Sequence, residues 1–212
     1  MIAGEPCLFG ASCGVYVRIA RLALAEKGVA YRMVELDAAD LAPPRDPVTL
    51  RRIPVFEHDG FRLYETGAIT RYIDEAFPGP SLQPTDPRHR ARSSQFISIV
   101  DSYVYWPLVR QVFSHRVFRP LLGRPSDISE VQRGLEKAPV VLAALERLVA
   151  DTEFLCGTNI SLADIHLAPM IGYFVMAEEG DALLKTQRKL CNWWSTMSAR
   201  TAYRATKPRL PV

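Results

Sequence analysis

The sequence predicts an α+β protein of two domains, a βαβ–ββα unit followed by a wholly helical one. Three observations carry that expectation. Strand and helix patterns alternate over the first 78 residues, a proline-rich break follows, and beyond it only helical periodicity remains. The break is Phe77-Pro78-Gly79-Pro80-Ser81-Leu82-Gln83-Pro84-Thr85-Asp86-Pro87, whose four prolines and one glycine can sustain neither a helix nor a ladder. The domains are therefore expected at residues 1–78 and 88–212, joined by a linker at 79–87.

Each element has its own signal. Cys7-Leu8-Phe9-Gly10 is a short apolar run closed by a small residue, as a buried strand is. Tyr16, Ala20, Ala23 and Leu24 recur at helical spacing, with Arg18, Arg21 and Glu26 between them and Gly28 as the stop. Tyr31 to Leu36 alternates like a second strand. Past a Pro-rich stretch, Ile53-Pro54-Val55-Phe56 and Phe61-Arg62-Leu63-Tyr64 flank a His58-Asp59-Gly60 turn, giving a hairpin. Thr66 is placed to cap a helix with the apolar stripe Ile69, Tyr72, Ile73 and Ala76.

The second half opens with Asp86 as N-cap and Pro87 at the first helical position. Phe96, Val100, Tyr103 and Pro107 share one face of a long helix that is expected to bend or end near Trp106-Pro107. Further helices are expected at 127–149, 161–177 and 181–198. Ser161-Leu162-Ala163-Asp164 has capping-box form, which makes Asp164 a structural cap rather than a catalytic acid.

Composition narrows the function classes. With 212 residues, 48% hydrophobic and 23% charged, the chain can bury real cores and is too mixed to be disordered, collagenous or a coiled coil. No apolar run reaches the ~18–20 residues of a membrane span. Met1 to Leu8 contains Glu5 and Pro6 and lacks the form of a secretory signal. Cys7, Cys13, Cys156 and Cys191 are widely spaced, with no CxxC and no metal-type pairing with histidines. That points to reduced thiols in a cytoplasmic protein without a metal site. Residues 1–78 carry 9 Lys/Arg against 11 Asp/Glu, and the remainder 17 against 12. The basic half scatters its arginines singly, as solvated helix faces do, so neither nucleic acid nor membrane is expected as a partner.

Four segments in order resemble the glutathione transferases over nearly the whole chain. They are Val17 to Gly28, Arg52-Ile53-Pro54-Val55-Phe56, Tyr64 to Ile73 with Glu65-Thr66 at its start, and Phe154-Leu155-Cys156-Gly157 followed by Ser161-Leu162-Ala163-Asp164. The resemblance implies a thioredoxin-like first domain and an all-helical second one. It also implies a soluble, bacterial-type detoxification enzyme, Ser/Cys-like rather than Tyr-type, assembled as a homodimer. Its co-substrate would be glutathione, joined through the thiolate to an electrophilic apolar small molecule.

The same resemblance assigns roles that physical chemistry makes intelligible. A helix N-terminus at Thr66 offers orphan N–H donors to the γ-glutamyl carboxylate, and Glu65 can pair with its ammonium. Without a ligand, Thr66 merely caps the helix and Glu65 sits in its favourable field. A cis Ile53–Pro54 bond would turn the backbone at Val55 toward the cysteinyl part. Arg52 would meet the glycyl carboxylate, or is simply an exposed arginine beside Arg45 and Arg51. The segment from Asp37 to Arg52 is shorter than the family usually has.

Conjugation needs an ionised thiol, which a hydroxyl donor and a nearby helix N-terminus both favour. Counting back from Val17-Arg18 places Gly14 where the family carries Ser or Cys, so the flanking Ser12 and Cys13 are the candidates. Ser12 as donor gives conjugation. Cys13 as nucleophile gives glutathione-dependent thiol–disulfide exchange instead. With neither, the chain would be a non-catalytic binding member of the fold. The acceptor pocket is expected between the domains, with Tyr16, Tyr103, Tyr105, Trp106, Val109 and Phe113 as apolar wall, unless that stripe is helix–helix core. Cys156 and Cys191 read as small apolar filler.

Overall fold

The computed structural model describes residues 4–36 and 52–210. They form two compact units, one reaching to Ser81 and taking in Thr201–Arg209, the other spanning Leu82–Arg200.

The first unit is β1 (Cys7–Gly10), α1 (Val15–Lys27), β2 (Arg32–Glu35), β3 (Val55–His58), β4 (Phe61–Tyr64) and α2 (Thr66–Ala76). This is the expected βαβ–ββα order, the two halves being separated by residues 37–51, which lie outside the described ones. The sheet runs β2-β1-β3-β4, with β1 parallel to β2 and β3 antiparallel to both its neighbours. Asp59 and Gly60 both take positive φ, 51° and 77°, as a two-residue type I′ hairpin requires.

In α1, Val17, Ile19, Ala20, Leu22, Ala23 and Leu24 are all buried, so the helix is covered on nearly every side. It ends where Gly28 turns left-handed and donates back to Ala25. Arg18, which spacing puts on an outer face, is only 1% exposed. Its guanidinium lies over the ring of Tyr203, in a short helix at Thr201–Ala205 that returns to this unit. Between α1 and α2 the Lys27 ammonium is buried, 3.3 Å from Asp74 Oδ1, and donates to the Asp74 and Pro80 carbonyls.

The second unit contains α3 (Pro87–Ile99), α4 (Val100–Phe118), α5 (Ile128–Leu148), α6 (Leu162–Phe174), α7 (Glu178–Lys185) and α8 (Arg188–Ala199). Asp86 caps α3 by accepting from the Arg88 and His89 amides. The helix does not stop at Pro107. It continues as α4 in the wider i→i+5 winding, which closes with Arg119 N–H on the Ser114 carbonyl. A wider turn delays the return of the buried face. Val100, Val104, Leu108 and Val112 therefore point inward, whereas Tyr103, expected on that face, is 64% exposed.

The stretch 181–198, expected as one helix, is two, parted at Thr186–Gln187. All 13 residues of α6 are buried. Its capping box is present: Asp164 accepts from the Ser161 amide and hydroxyl at 2.8 and 2.7 Å. The same carboxyl accepts from the Leu155 amide and the Trp193 indole, tying α8 and the 154–157 turn to the helix start. No helix among the described residues is long and apolar enough to cross a membrane.

Candidate functional site

Register brings the site together. Phe9 of β1 pairs with Val55 of β3, and Val55 in turn with Tyr64 of β4. The residues just past these positions therefore meet at one end of the sheet: Gly10 and the 11–14 loop, Ile53-Pro54, and Glu65-Thr66. Parallel pairing adds Glu35 opposite Gly10.

At that end the Ile53–Pro54 peptide is cis. Val55 is flanked on both sides by strands, so the adjoining backbone outside the ladder is that of Ile53. Arg52, one residue earlier, is exposed. Gly10 stands at the junction with φ 151°, and a Cβ there would lie 2.6 Å from Val17 Cγ2 and 3.4 Å from Ile53 Cβ. The cis-proline segment, β1 and α1 can close this tightly only around a glycine.

Glu65 rather than Thr66 is the N-cap of α2, and no side chain caps it. Glu65 is exposed and held at φ 67°, ψ 116°, a region that residues with a Cβ rarely occupy. Its carbonyl accepts the first intrahelical bond, from Ile69 at 3.0 Å, while Thr66 is buried as the first helical residue. The N–H groups of this first turn have no intrahelical acceptor and carry the positive end of the helix dipole. An anionic carboxylate is the ligand such a terminus suits.

Ahead of α1, Gly14 donates to the Ala11 carbonyl at 2.8 Å, making a turn with Ser12 and Cys13 at its centre. Gly14 is the helix N-cap and brings no side-chain acceptor to it. Cys13 is half-buried immediately before that terminus, and Tyr16 is half-buried in the first turn. Ser12 is held at all three of its polar groups. Its amide and hydroxyl both donate to Glu35 Oε1, at 2.9 and 2.6 Å, and its carbonyl accepts from Arg21 at 3.1 Å. Arg21 also donates to the Tyr31 hydroxyl. Cys156 lies elsewhere, in the helical unit, where burial pushes its thiol up to about 12.

Of the residues assigned to the acceptor wall on α4, Trp106 is 54% exposed and Tyr105 half-buried. Val109 and Phe113 are buried, and Phe113 packs edge-on against Tyr173 of α6 with centroids 4.6 Å apart. Among the described residues no three His, Cys, Asp or Glu side chains gather as a metal site. Sequence reading passed over Gly10, Arg21 and Glu35 as site residues. The register of β1 against β2 places Gly10 and Glu35, and Arg21 of α1 shows only in its bond to the Ser12 carbonyl.

A thioredoxin-like sheet ending in a cis-proline and an open helix N-terminus, with a helical unit after it, defines a class of two-domain thiol-handling proteins. Residues 8–81 match the family model of the glutathione S-transferase N-terminal domain, and residues 109–201 that of the C-terminal domain. Glutathione S-transferase F10 of Arabidopsis thaliana is 31% identical over 198 residues, covering 89% of this chain and 91% of that protein. The apo structure of a glutathione S-transferase III superposes with a TM-score of 0.85 at 24% identity, over 99% of this chain and 98% of that one. Glutathione S-transferase I from mais, solved with an atrazine glutathione conjugate, gives 0.82 at 22% identity over 96% of both chains. The chain belongs to the glutathione S-transferase family.

Proposed function

We infer that the protein is a glutathione transferase joining the glutathione thiolate to electrophilic small molecules. The observation that carries this reading is the convergence set by the Phe9–Val55–Tyr64 register. It gathers three features suited to three parts of one tripeptide. The open N-terminus of α2 at Glu65-Thr66 takes the γ-glutamyl carboxylate, with Glu65 toward the ammonium. The backbone of Ile53, beside Pro54 and Val55, pairs with the cysteinyl part, and Arg52 meets the glycyl carboxylate. The thiol then points to the 11–15 loop, where Ser12 and Cys13 make the site Ser/Cys-like rather than Tyr-type.

In the reaction the thiol proton leaves to solvent, the thiolate sulfur bonds to the electrophilic carbon, and the leaving group departs with its electron pair. Trp106, exposed on α4, is the wall proposed for an apolar acceptor. A reducing, cytoplasmic setting fits four cysteines outside any disulfide, and a homodimer is the assembly proposed. Domain limits near the 79–87 linker remain the proposal, with 201–209 attached to the first unit.

Calorimetry with glutathione and turnover of an aryl halide test this reading together. Glu65→Ala and Arg52→Ala should each weaken glutathione binding about tenfold, the scale of one charge-assisted contact. Full affinity in both variants overturns the assignment. A second reading is favoured by the place of Cys13, central in the turn that precedes α1. There its thiolate would attack a glutathionylated thiol, release the other sulfur, and be cleared by a second glutathione as glutathione disulfide. A glutathione adduct on Cys13 by mass spectrometry, with reduction of a model disulfide, selects that reading.

A further inference from the structure

We propose that Glu35 governs how strongly this site ionises a bound thiol, by holding the Ser12 hydroxyl proton. The inference rests on the reading above that glutathione sulfur faces the 11–15 loop. A serine hydroxyl has one proton to donate. Here it is spent: Ser12 Oγ donates to Glu35 Oε1 at 2.6 Å, within the range of short, charge-assisted bonds. The Ser12 amide reaches the same carboxyl oxygen at 2.9 Å, and Arg21 donates to the Ser12 carbonyl at 3.1 Å. The placement is built into the sheet, since Glu35 ends β2 in register with Gly10, two residues before Ser12.

Donation to Glu35 and donation to a sulfur anion are mutually exclusive. While the first bond stands, Ser12 presents lone pairs to its surroundings, and a neighbouring thiolate gains nothing from its hydroxyl. A relay in the other direction, passing the thiol proton through Ser12 to the carboxylate, does not compete as a resting state. A carboxyl ordinarily holds its proton about four pH units more weakly than a thiol does. Glu35 is therefore a positioning residue that turns the hydroxyl away from sulfur, leaving the α1 N-terminus to stabilise the thiolate. Removing it releases the hydroxyl to the sulfur.

The test follows thiolate absorbance of bound glutathione across pH in the full-length protein. Glu35→Leu should lower the bound-thiol pKa by about one unit, which is about tenfold more thiolate at a pH below both values. Adding Ser12→Ala to Glu35→Leu should restore the wild-type value. That double variant also lacks the Glu35 charge, so recovery assigns the shift to the hydroxyl and not to lost repulsion. A Glu35→Leu pKa equal to wild type overturns the inference, as does a double variant that keeps the fall. Should Glu35→Leu not fold, Glu35→Gln replaces it: a weaker neutral acceptor should give a smaller fall that still needs Ser12. Calorimetry on the wild type separates the two levels. A protein that binds no glutathione overturns the site reading, and this inference with it. One that binds it with a thiol pKa indifferent to Glu35 overturns the inference alone.

Discussion

The Arg18 guanidinium lies 4.1 Å from the centroid of the Tyr203 ring and donates to the Tyr203 carbonyl at 3.3 Å. Both residues are more than nine-tenths buried, so the cation is sheltered from water by the ring it faces. A desolvated cation–π contact contributes about 2 kcal/mol. The return segment 201–209 is thereby fastened to α1, the helix whose start carries the 11–14 loop.

Tyr203→Ala should therefore destabilise the protein by about 3 kcal/mol, since it removes a buried ring and leaves Arg18 uncovered. Tyr203→Phe keeps the aromatic face and the backbone acceptor, and should cost less than about 1 kcal/mol. Urea unfolding of the two variants checks the difference. Equal losses would mean that the ring face does not carry the contact.

Lys27 and Asp74 make a second tie inside the same unit, with side chains only 3% and 4% exposed. Lys27→Met removes the cation beside the buried Asp74 side chain and should cost about 3–5 kcal/mol, as breaking one side of a buried pair does. Lys27→Met with Asp74→Leu removes both charges and should recover much of that loss. The comparison of unfolding midpoints is decisive, because a packing defect alone would make the double variant worse.

These ties mark where sequence reading stops. Period and punctuation located β1, the Asp59–Gly60 hairpin and the capping box at Ser161, since each depends on residues within a few positions of one another. Arg18 was out of reach: its burial depends on Tyr203, 185 residues away, in a segment that the pattern assigns to the other half. Tyr103 was misplaced because the i→i+5 winding around Pro107 changes the period itself. In the site, Pro54, Glu65 and Ser12 were legible as residue types at motif spacing. That Glu65 and not Thr66 is the N-cap of α2, and that Ser12 bonds to Glu35, are matters of backbone course and strand register. The 37–51 segment, expected to be shorter than the family usually has, lies outside the described residues.

His166 gives the protein an acid limit. It is fully buried in α6, and burial pushes its imidazole down to about 3. An unfolded imidazole takes its proton near its ordinary value of about 6.5. Between these values the unfolded chain binds one proton more than the folded one, so stability is present above pH ~6.5 and drains away as pH falls toward about 3. The slope for one proton is about 1.4 kcal/mol per pH unit. Between pH 6.5 and 5.0 the wild type should thus lose about 2 kcal/mol that His166→Leu does not lose. Parallel pH dependences in urea unfolding would exclude His166 as the source.

Glu65 sets stability against binding. Its φ of 67° is one that glycine adopts at no steric cost, whereas a side chain there costs of order 1–3 kcal/mol. Glycine also loosens the unfolded chain, which takes back about 1 kcal/mol. Glu65→Gly should therefore leave the protein as stable as wild type or up to about 2 kcal/mol more stable. The same change removes the carboxylate proposed to meet the γ-glutamyl ammonium, so glutathione affinity should fall about tenfold or more. Thermal unfolding without ligand and calorimetry with glutathione read the two effects separately. A variant that loses stability and keeps its affinity would mean that the backbone at Glu65 is held for packing; the opposite pair of results ties its unfavourable geometry to the ligand.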